Sequence, residues 1–473
     1  MNKPIFLTRE KTYIKDIIHD SIELSLIAKT IIDTPIFQRL RYLHQVGVCY
    51  LIFPNTNHTR FEHSIGTYHL AGLFIDKLIK NSTHIEINKA IIQIKFIREY
   101  LLRHLELDET EENISFLEKI DIVLLDDYLI ELIKIAGLIH DLGHGPFSHL
   151  FDEWLNSIPE IKHSNILEHE SRSIVLLKQI IDNEKIIFCE ETYYMKEFIT
   201  DEAFEFISEL INPMDDNFKN NFIFQLISNK DNGLDVDKLD YLYRDSFYFG
   251  LGKPYDLSQV ILHARVIKGN ICFPEDNPIA YNIYKIYRSR YDLHKQYYAH
   301  KTICCIEYMI RDILYHLDPI LQITENIKKN NINKFIELND YVILNTTKIL
   351  KYYNNIYDMY STQINSIQTI IERIDERKLY KCIYAESFYT NESISDEDLI
   401  DKIKNDYINE NIENNDLIFI KLKIGLLSGN NSHPLDTIHF YNNKNMSILL
   451  DKTKISHLMP FLHQEIIHYI IKR

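Results

Sequence analysis

Glycine is scarce in this sequence, at only 12 of 473 residues. Nine of these glycines fall between residues 47 and 252. Because glycine is needed where the backbone turns tightly, the chemistry is expected in that interval. The sequence also contains no phosphate loop of the GxxxxGK[ST] pattern, so any phosphate must be bound by individual side chains.

CxxC motifs and long apolar runs are missing as well. The six cysteines show no CxxC spacing, which favours a reduced, intracellular protein, either cytoplasmic or nuclear. No stretch approaches the roughly 18 uninterrupted apolar residues of a transmembrane helix, and the N-terminus lacks the apolar run of a signal peptide. We therefore expect neither a membrane span nor a secretory signal.

Positive charge is not in excess either. The formal net charge of −16 disfavours a general nucleic-acid-binding or membrane-surface protein, although it leaves room for a local basic cleft. With 45% hydrophobic and 25% charged residues, the composition is that of a globular protein with a large core. The length predicts two or three domains.

The densest group of titratable residues lies at 136–149. An apolar stretch is predicted to form a buried helix that delivers His140 and Asp141 to its end, where glycine and proline stop it. Imidazole and carboxylate together suit Zn, Fe or Mn better than Ca²⁺. A buried histidine paired with a carboxylate is the structural alternative, but the adjoining His144 and His149 favour a functional site.

Two further segments offer ligands of the same kind. Thr59 and Glu62 form a capping-box pattern, which places His63 in the first turn of a helix. A later helix carries Asp237, which would complete a four-ligand set of His63, His140, Asp141 and Asp237 with open positions for water and substrate. Taken alone, such a histidine is more often structural and such an acidic face is more often solvated.

Two other patterns suggest substrate chemistry. His169 lies between Glu168 and Glu170, which suits a general acid or base, with a surface cluster as the equal alternative. The basic, aromatic stretch 284–301 is predicted to be a helix on which Arg290, His294 and Tyr298 recur every four residues. That face suits a polyphosphate with a base or sugar stacked beside it.

The overall pattern predicts a mainly α-helical protein with two parts. Residues 1–319 are predicted to form a helical core with an N-terminal strand and helix segment, including a short strand or hairpin at 13–24. Residues 320–473 are predicted to form a smaller α+β region, with strands near 417–424 and 437–450. The polar stretches 325–345 and 407–416 are predicted to be loops.

Several segments, in order along the chain, resemble the HD-domain deoxynucleoside triphosphate triphosphohydrolases, and among them the enzymes that carry a sterile-alpha-motif domain before the HD domain. The similarity runs from about residue 12 to the C-terminus and implies an HD-domain phosphohydrolase core, with no sterile-alpha-motif domain expected here. The segments are Ile32–Tyr42, Arg60–Ser64, His140–His149, Asn232–Lys238, Tyr298–Lys301 and His433–Tyr441.

The resemblance implies a reaction in which a dNTP and water give a deoxynucleoside and inorganic triphosphate. It implies that the divalent metal (Fe, Mn or Zn) is bound by His63, His140, Asp141 and Asp237, with Mg²⁺ accompanying the triphosphate. It implies that the residues around the α-phosphate are His144, His149, Asp152, His169 and Glu170. Of these, His169 or His149 is the candidate to protonate the leaving 5′-oxygen.

The resemblance also implies the substrate contacts. Arg60, Lys238 and Arg290 would hold phosphates, assisted by Tyr241. Gln45 and Asp245 would meet the 3′-hydroxyl, while Tyr298 would crowd the 2′-carbon and exclude ribonucleotides. Val46 and His294 complete the predicted substrate-binding set.

Regulation is implied as well. The family's activating nucleotide, GTP or a dNTP, binds between subunits, so a homo-oligomer, dimer or tetramer, is expected. The matching residues here are Asp33, Gln38, Arg41, Arg265, Arg377 and Lys381. Thr12, Lys15 and Ala299 depart from the family's pattern.

Two other functions remain compatible with the residues. One is an HD phosphatase acting on nucleoside monophosphates or cyclic nucleotides, which the basic face at Arg290 disfavours because a single phosphate needs fewer cations. The other is a catalytically silent nucleotide sensor or nucleic-acid-binding module. The complete ligand set and the net charge disfavour that alternative.

Overall fold

The computed structural model describes residues 10–162, 164–213, 220–350, 352, 354–388, 416–427, 433–459 and 463–473. Helices dominate these residues, and the strands form small sheets, which confirms the predicted mainly helical class with a smaller α+β region. Within the described ranges, no helix combines the length and the apolar character that crossing a membrane requires.

The first group of helices builds the core around the site. They are α1 Leu26–Ile32, α2 Pro35–Gln38, α3 Arg60–Asn81, α4 His84–Ile92, α5 Lys95–His104, α6 Glu111–Lys119, α7 Asp127–Ile139, α8 His149–Asn156, α9 His169–Asn183, α10 Met195–Phe198, α11 Asp201–Ile211, α12 Phe222–Ile227, α13 Val236–Tyr248 and α14 Leu257–Leu262. Short 3₁₀ helices lie at Arg39–Tyr42, Gly47–Leu51 and Pro159–Ile161.

The second group follows along the chain. Its helices are α15 Asn277–Leu293, α16 Lys301–Leu321, α17 Ile323–Lys328, α18 Ile332–Phe335, α19 Asp340–Leu350, α20 Asn354–Asp375 and α21 Lys452–Ile455. A π-helical turn, His294–Tyr298, continues α15, and a 3₁₀ turn spans Pro434–Asp436.

The described strands pair in four sheets. β1 (Lys11–Asp16) and β2 (Asp20–Ser25) form the predicted hairpin, and β3 (Lys185–Phe188) pairs with β4 (Glu191–Tyr194). The third sheet has the order β10-β9-β6-β5, in which β6 and β9 are parallel, and the fourth has the order β7-β11-β8. The remaining bounds are β5 Arg265–Ile267, β6 Asn270–Pro274, β7 Lys381–Phe388, β8 Leu417–Gly425, β9 His439–Tyr441, β10 Ser447–Leu449 and β11 Gln464–Lys472.

Helices α3 and α7 cross closely and antiparallel, which determines where the site lies. A Cβ at Gly137 would stand 3.2 Å from the Thr67 carbonyl oxygen, a contact so tight that a larger residue would push the two helices slightly apart. Thr67 Oγ1 donates to the Gly137 carbonyl at 2.6 Å, and Tyr68 donates to Glu131 one turn further along. The start of α3 therefore meets the end of α7.

The prediction of loops at 325–345 is wrong, because α17, α18 and α19 cover most of this stretch. Ile327, Phe335 and Ile343 are buried there, and this packing outweighs the polar composition. Residues 407–415 lie outside the described residues. The division at residue 320 stays a prediction; Pro319 lies inside α16.

Candidate active site

Four side chains from three segments converge at the junction of α3, α7 and α13. His63 Nε2 lies 3.1 Å from Asp237 Oδ1 and 3.4 Å from Asp141 Oδ2. His140 Nε2 lies 3.3 Å from Asp141 Oδ1 and 3.4 Å from Asp237 Oδ1. Both imidazoles therefore turn the same ring nitrogen toward both carboxylates.

Capping residues in the local sequence explain why these side chains lie at the ends of helices. The predicted capping box is present, since Glu62 Oε1 accepts from the Thr59 amide at 2.8 Å, and α3 therefore begins just before His63. The Asp235 side chain accepts from the Lys238 amide at 3.0 Å and begins α13 just before Asp237. His140 caps the C-terminal end of α7.

The other ring nitrogen of each histidine has its own partner. His63 Nδ1 lies 2.8 Å from Asp240 Oδ2, and His140 Nδ1 lies 2.8 Å from the Gly137 carbonyl. If each Nδ1 donates, each Nε2 keeps its lone pair for a metal ion. His140 Nε2 is buried and has no hydrogen-bond partner among the described residues.

The charges of the cluster favour a bound cation. Burial opposes protonation of His63, but Asp237, Asp240 and Asp141 raise its pKa to about 10. Burial also opposes ionisation of Asp141, yet Arg60, His140 and His144 hold the pKa of its carboxyl well below its ordinary value. The carboxylates of the cluster are thus ionised, and they favour a positive charge beside His63. A metal cation supplies such a charge, as a proton does.

The donor set fits a divalent metal. Ligand atoms bound about 2.0–2.2 Å from an ion stand roughly 3 to 3.5 Å apart when they are neighbours around it. The nitrogen-to-oxygen distances of 3.1 to 3.4 Å match that spacing. His63, His140 and Asp141 also place one ligand atom each within 4.8 Å of one another.

A second group of histidines lies directly beside the first. His144 Nε2 stands 3.2 Å from Asp141 Oδ1, and the His144 ring stacks on His169 with centroids 4.0 Å apart. The edge of His149 meets His144 at a centroid distance of 5.0 Å. Burial, Arg60 and His169 hold the pKa of His144 well below its ordinary value, and the same three influences lower the pKa of His149 to about 4.

His169 is oriented by carboxylates. Its Nδ1 lies 3.0 Å from Asp152 Oδ2 and 3.4 Å from Glu170 Oε2. Burial opposes ionisation of Asp152, but His169 and Arg172 keep its pKa below the ordinary range. Arg172, fully buried, donates to Asp152 and to the Gly143 carbonyl, so Asp152 has a fixed position from which to hold the His169 ring.

Arg60, predicted to hold a phosphate, donates to the carboxylate of Asp141. Its Nε donates to Ser148 Oγ at 2.8 Å, and its side chain is buried. The guanidinium therefore lies beside the metal-ligand cluster and compensates the charge of Asp141.

Lys238 and Arg290 are two cations that lie near the Tyr241 hydroxyl, where α13 packs against α15. Burial lowers the pKa of Lys238, but Asp235, Tyr241 and Asp237 raise it above the ordinary value. Burial raises the pKa of Tyr241, against the opposing effect of Arg290 and Lys238. Arg290 is buried in α15 and donates to the Gly425 carbonyl at 2.7 Å.

The residues predicted to meet the sugar also gather. Tyr298 donates to Asp245, and His58 Nε2 lies 2.7 Å from the other oxygen of that carboxylate. The π-helical turn after α15 keeps His294 and Tyr298 in contact, with ring centroids 4.9 Å apart. Burial, Arg290 and His149 hold the pKa of His294 well below its ordinary value, which leaves the ring neutral.

Gln45 and Val46 lie at the turn before the 3₁₀ helix Gly47–Leu51. The Gln45 side chain is buried, and its Oε1 has no hydrogen-bond partner among the described residues. Its backbone amide donates to the His58 carbonyl at 3.0 Å, which keeps this turn next to the segment that leads into α3. An unsatisfied acceptor there suits a hydroxyl donor.

Among the described residues, hydrogen bonds and ion pairs join only Gln38 and Arg41 of the six residues predicted to bind a regulatory nucleotide. Arg41 donates to Gln38 at 2.8 Å, whereas Arg377 donates to the Leu51 carbonyl and Arg265 stacks over Tyr441. Asp33 pairs with Lys29, and Lys381 is exposed at the start of β7. The regulatory role of these six residues stays a prediction.

Sequence reasoning missed Asp240, His58 and Arg172, which hold site residues in place. Asp240 had a usable signal, because it lies in the same acidic run as Asp237 and precedes Arg244 by one helical turn. His58 and Arg172 had no such signal in the sequence. His58 contacts Asp245 from 187 positions away, and Arg172 contacts Asp152 from 20 positions away.

No protein-family model matches the chain. A putative HD domain-containing protein of Acanthamoeba polyphaga mimivirus is 34% identical over 444 residues, which cover 90% of this chain and 84% of that protein. The deoxynucleoside triphosphate triphosphohydrolase SAMHD1 homolog of Dictyostelium discoideum is 32% identical over 462 residues, covering 96% and 75%. Gallus gallus SAMHD1, also a deoxynucleoside triphosphate triphosphohydrolase, is 30% identical over 498 residues, covering 97% and 71%.

Proposed function

The chain belongs to the family of HD-domain deoxynucleoside triphosphate triphosphohydrolases, and we propose that it is itself a metal-dependent enzyme of this kind. The observation that carries the proposal is the convergence of His63, His140, Asp141 and Asp237 beside the His144–His169 pair. The products are a deoxynucleoside and inorganic triphosphate.

In this proposal, His63, His140, Asp141 and Asp237 hold a divalent transition metal, Fe, Mn or Zn, with Mg²⁺ accompanying the triphosphate. Held by these residues, such an ion would supply Lewis-acid chemistry, which polarises a water molecule and neutralises charge on the α-phosphate. Arg60 stays paired with Asp141 and adds positive charge beside the same phosphate.

His169 is the group we assign to proton transfer. The Asp152 carboxylate holds its Nδ1 at 3.0 Å, which leaves Nε2 for the substrate. Water adds to the α-phosphorus and loses a proton, the bond from phosphorus to the 5′-oxygen breaks, and the proton on His169 goes to that oxygen; the proton lost by water restores the one that His169 gave. His149 at the same cluster is the alternative donor, but burial, Arg60 and His169 lower its pKa to about 4, so its ring carries no extra proton near neutral pH and His169 is favoured. His144 and Glu170 shape the surroundings of both rings.

Phosphate and sugar contacts follow from the remaining groups. Lys238 and Arg290 supply cations for the β- and γ-phosphates, with Tyr241 between them as a hydroxyl donor. Asp245 and Gln45 are the partners of the 3′-hydroxyl, whose single hydrogen can go to one acceptor, and Val46 and His294 complete the walls. Tyr298, held by its hydrogen bond to Asp245, closes the space at the 2′-carbon and selects deoxyribose.

We also propose, as a separate expectation, that GTP or a dNTP activates a homo-oligomer of this chain. The residues assigned to that site are Asp33, Gln38, Arg41, Arg265, Arg377 and Lys381. Native mass measured with and without GTP, in parallel with activity, tests this part alone.

The test of the main proposal is product analysis with purified protein, Mn²⁺ or Mg²⁺, and each dNTP. Deoxynucleoside and triphosphate are expected; dNMP with pyrophosphate would reject it, and faster turnover of dAMP than of dATP would favour a monophosphatase. Asp141→Ala is expected to abolish turnover, whereas Asp201→Asn, on an exposed carboxylate of α11, leaves it unchanged. Oligonucleotide binding without hydrolysis would favour the silent binding module.

A further inference from the structure

Asp340, the first residue of α19, touches two segments of the site at once. It is 3% exposed, and it lies in the stretch for which composition predicted a loop. Its Oδ2 accepts from the His44 amide at 2.9 Å and lies 2.7 Å from His44 Nδ1. Its Oδ1 accepts from the Phe147 amide at 2.6 Å.

The segment that Asp340 holds is strained. Phe147 has φ +57° and Ser148 has φ +61°, a region that side-chain-bearing residues rarely adopt, and two such residues in succession lead directly into His149. A backbone of this kind persists only when its surroundings hold it. The hydrogen bond from the Phe147 amide to Asp340 is one such restraint.

The same turn is tied to the metal-ligand cluster. Ser148 Oγ donates to the His44 carbonyl at 2.9 Å and accepts from Arg60 Nε at 2.8 Å, while Arg60 donates to Asp141. His44 is thus bonded on one side to Asp340 and on the other to Ser148. A shift of Asp340 would reach Arg60 through this chain of hydrogen bonds.

A second contact from the same segment reaches the other end of the turn. The buried Arg39 guanidinium donates from Nε to the Leu338 carbonyl at 2.9 Å and from Nη2 to the His144 carbonyl at 2.6 Å. Leu338 precedes Asp340 by two residues. Segment 338–340 therefore fixes the turn 144–148 at both ends.

We propose that Asp340 is a positioning residue for the reaction, holding the 144–148 turn so that His149 and Arg60 face the metal-ligand cluster; the proposal rests on the proposed function. Both oxygens of the Asp340 carboxylate are required, because they have three donors as neighbours: the His44 ring nitrogen and the backbone amides of His44 and Phe147. An amide in this place offers one acceptor and turns an NH₂ group toward a donor. Asp340 touches none of the four metal ligands in the hydrogen bonds of the described residues.

The experiment compares the full-length chain with Asp340→Asn and with Glu337→Gln, a matched control whose carboxylate is exposed and pairs with Lys334. Hydrogen–deuterium exchange of residues 143–150 and steady-state kinetics are both measured. In Asp340→Asn we expect faster exchange in that peptide, kcat lower by about tenfold or more, KM within about threefold, and unchanged metal content. In Glu337→Gln all four stay at the wild-type level.

A second variant covers the case in which Asp340→Asn does not fold. His44→Phe keeps the ring that stacks on Tyr50 but removes the Nδ1 contact, so we expect changes in the same direction and of smaller size. Unchanged exchange, or faster exchange with unchanged kcat, overturns the proposal. If the wild-type chain does not hydrolyse dNTPs, the proposed function fails, and exchange in the metal-loaded variants still decides whether Asp340 anchors the turn.

Discussion

His63 and Asp240 are joined by a hydrogen bond of 2.8 Å between His63 Nδ1 and Asp240 Oδ2, on the side of the ring opposite the cluster of carboxylates. Asp240 is itself fixed by Arg244, at 2.8 and 3.0 Å, and by His19 of the β1–β2 hairpin, at 2.6 Å. Arg244 also donates to Asp16 at the end of β1. The orientation of a proposed metal ligand thus depends on a fully buried carboxylate and on the N-terminal hairpin.

Asp240→Asn is expected to weaken metal binding. Loss of a carboxylate behind a ligating histidine typically costs about 10- to 100-fold in metal affinity, because the ring is less firmly oriented and less basic. Titration with Mn²⁺ or Co²⁺ against a competing chelator measures the dissociation constant. Asp201→Asn is the control, and an affinity for the Asp240→Asn variant within twofold of wild type contradicts the prediction.

Gly66→Ala is expected to destabilise the protein, whereas Gly72→Ala on the same helix is not. A Cβ at Gly66 would lie 2.1 Å from Asp240 Oδ1, but at Gly72 its nearest contacts would be carbon atoms of the Lys134 side chain, at 3.2 Å. We expect Gly66→Ala to lower the free energy of unfolding by about 1–3 kcal/mol. Gly72→Ala gains up to about 1 kcal/mol from helix propensity. Urea unfolding of both variants is the measurement, and equal effects would argue against the close contact.

Metal removal is expected to lower thermal stability. His63, His140, Asp141 and Asp237 come from three separate segments and lie together only in the folded chain, so an ion that they bind stabilises the folded state and not the unfolded one. Returning metal at about 100 times its dissociation constant stabilises the folded state by about 2.7 kcal/mol. Melting temperatures measured with EDTA and again after Mn²⁺ addition test this prediction. The melting temperature of His140→Ala is expected to be the same under both conditions.

Glu307 predicts a pH dependence of stability. Burial and the nearby Glu153 raise its pKa from an ordinary value of 4.5 to about 7, against the opposing effect of Arg311. Between these values the folded state binds more protons than the unfolded state, so the free energy of unfolding falls as pH rises from about 4.5 to 7. Above about pH 7, the contribution of Glu307 to the free energy of unfolding is fully lost.

Glu307→Gln removes this contribution, so its stability should change less between pH 5 and pH 8 than that of wild type. Urea unfolding at both pH values gives the comparison, with the exposed Glu112→Gln as the control. A Glu307→Gln variant with the full wild-type pH dependence would show that other groups are responsible.

Local features of the site were predictable because they depend on neighbours in sequence. The capping box at Thr59 and Glu62 and the apolar helix that ends at His140 were both read from short windows, and the structure has both. The prediction failed at 325–345, where composition was used in place of spacing. There, a few buried apolar side chains are enough to form short helices once the core lies beneath them.

The sequence alone therefore determined which residue types were available, where the helices carrying them begin and end, and which family they resemble. Only the tertiary structure decided what holds those residues in place: His58 against Asp245, Arg244 against Asp16 and Asp340 against Phe147, pairs separated by 187, 228 and 193 positions. The physical reason is that a buried carboxylate must find donors wherever packing brings them. No local pattern records which distant segment that will be.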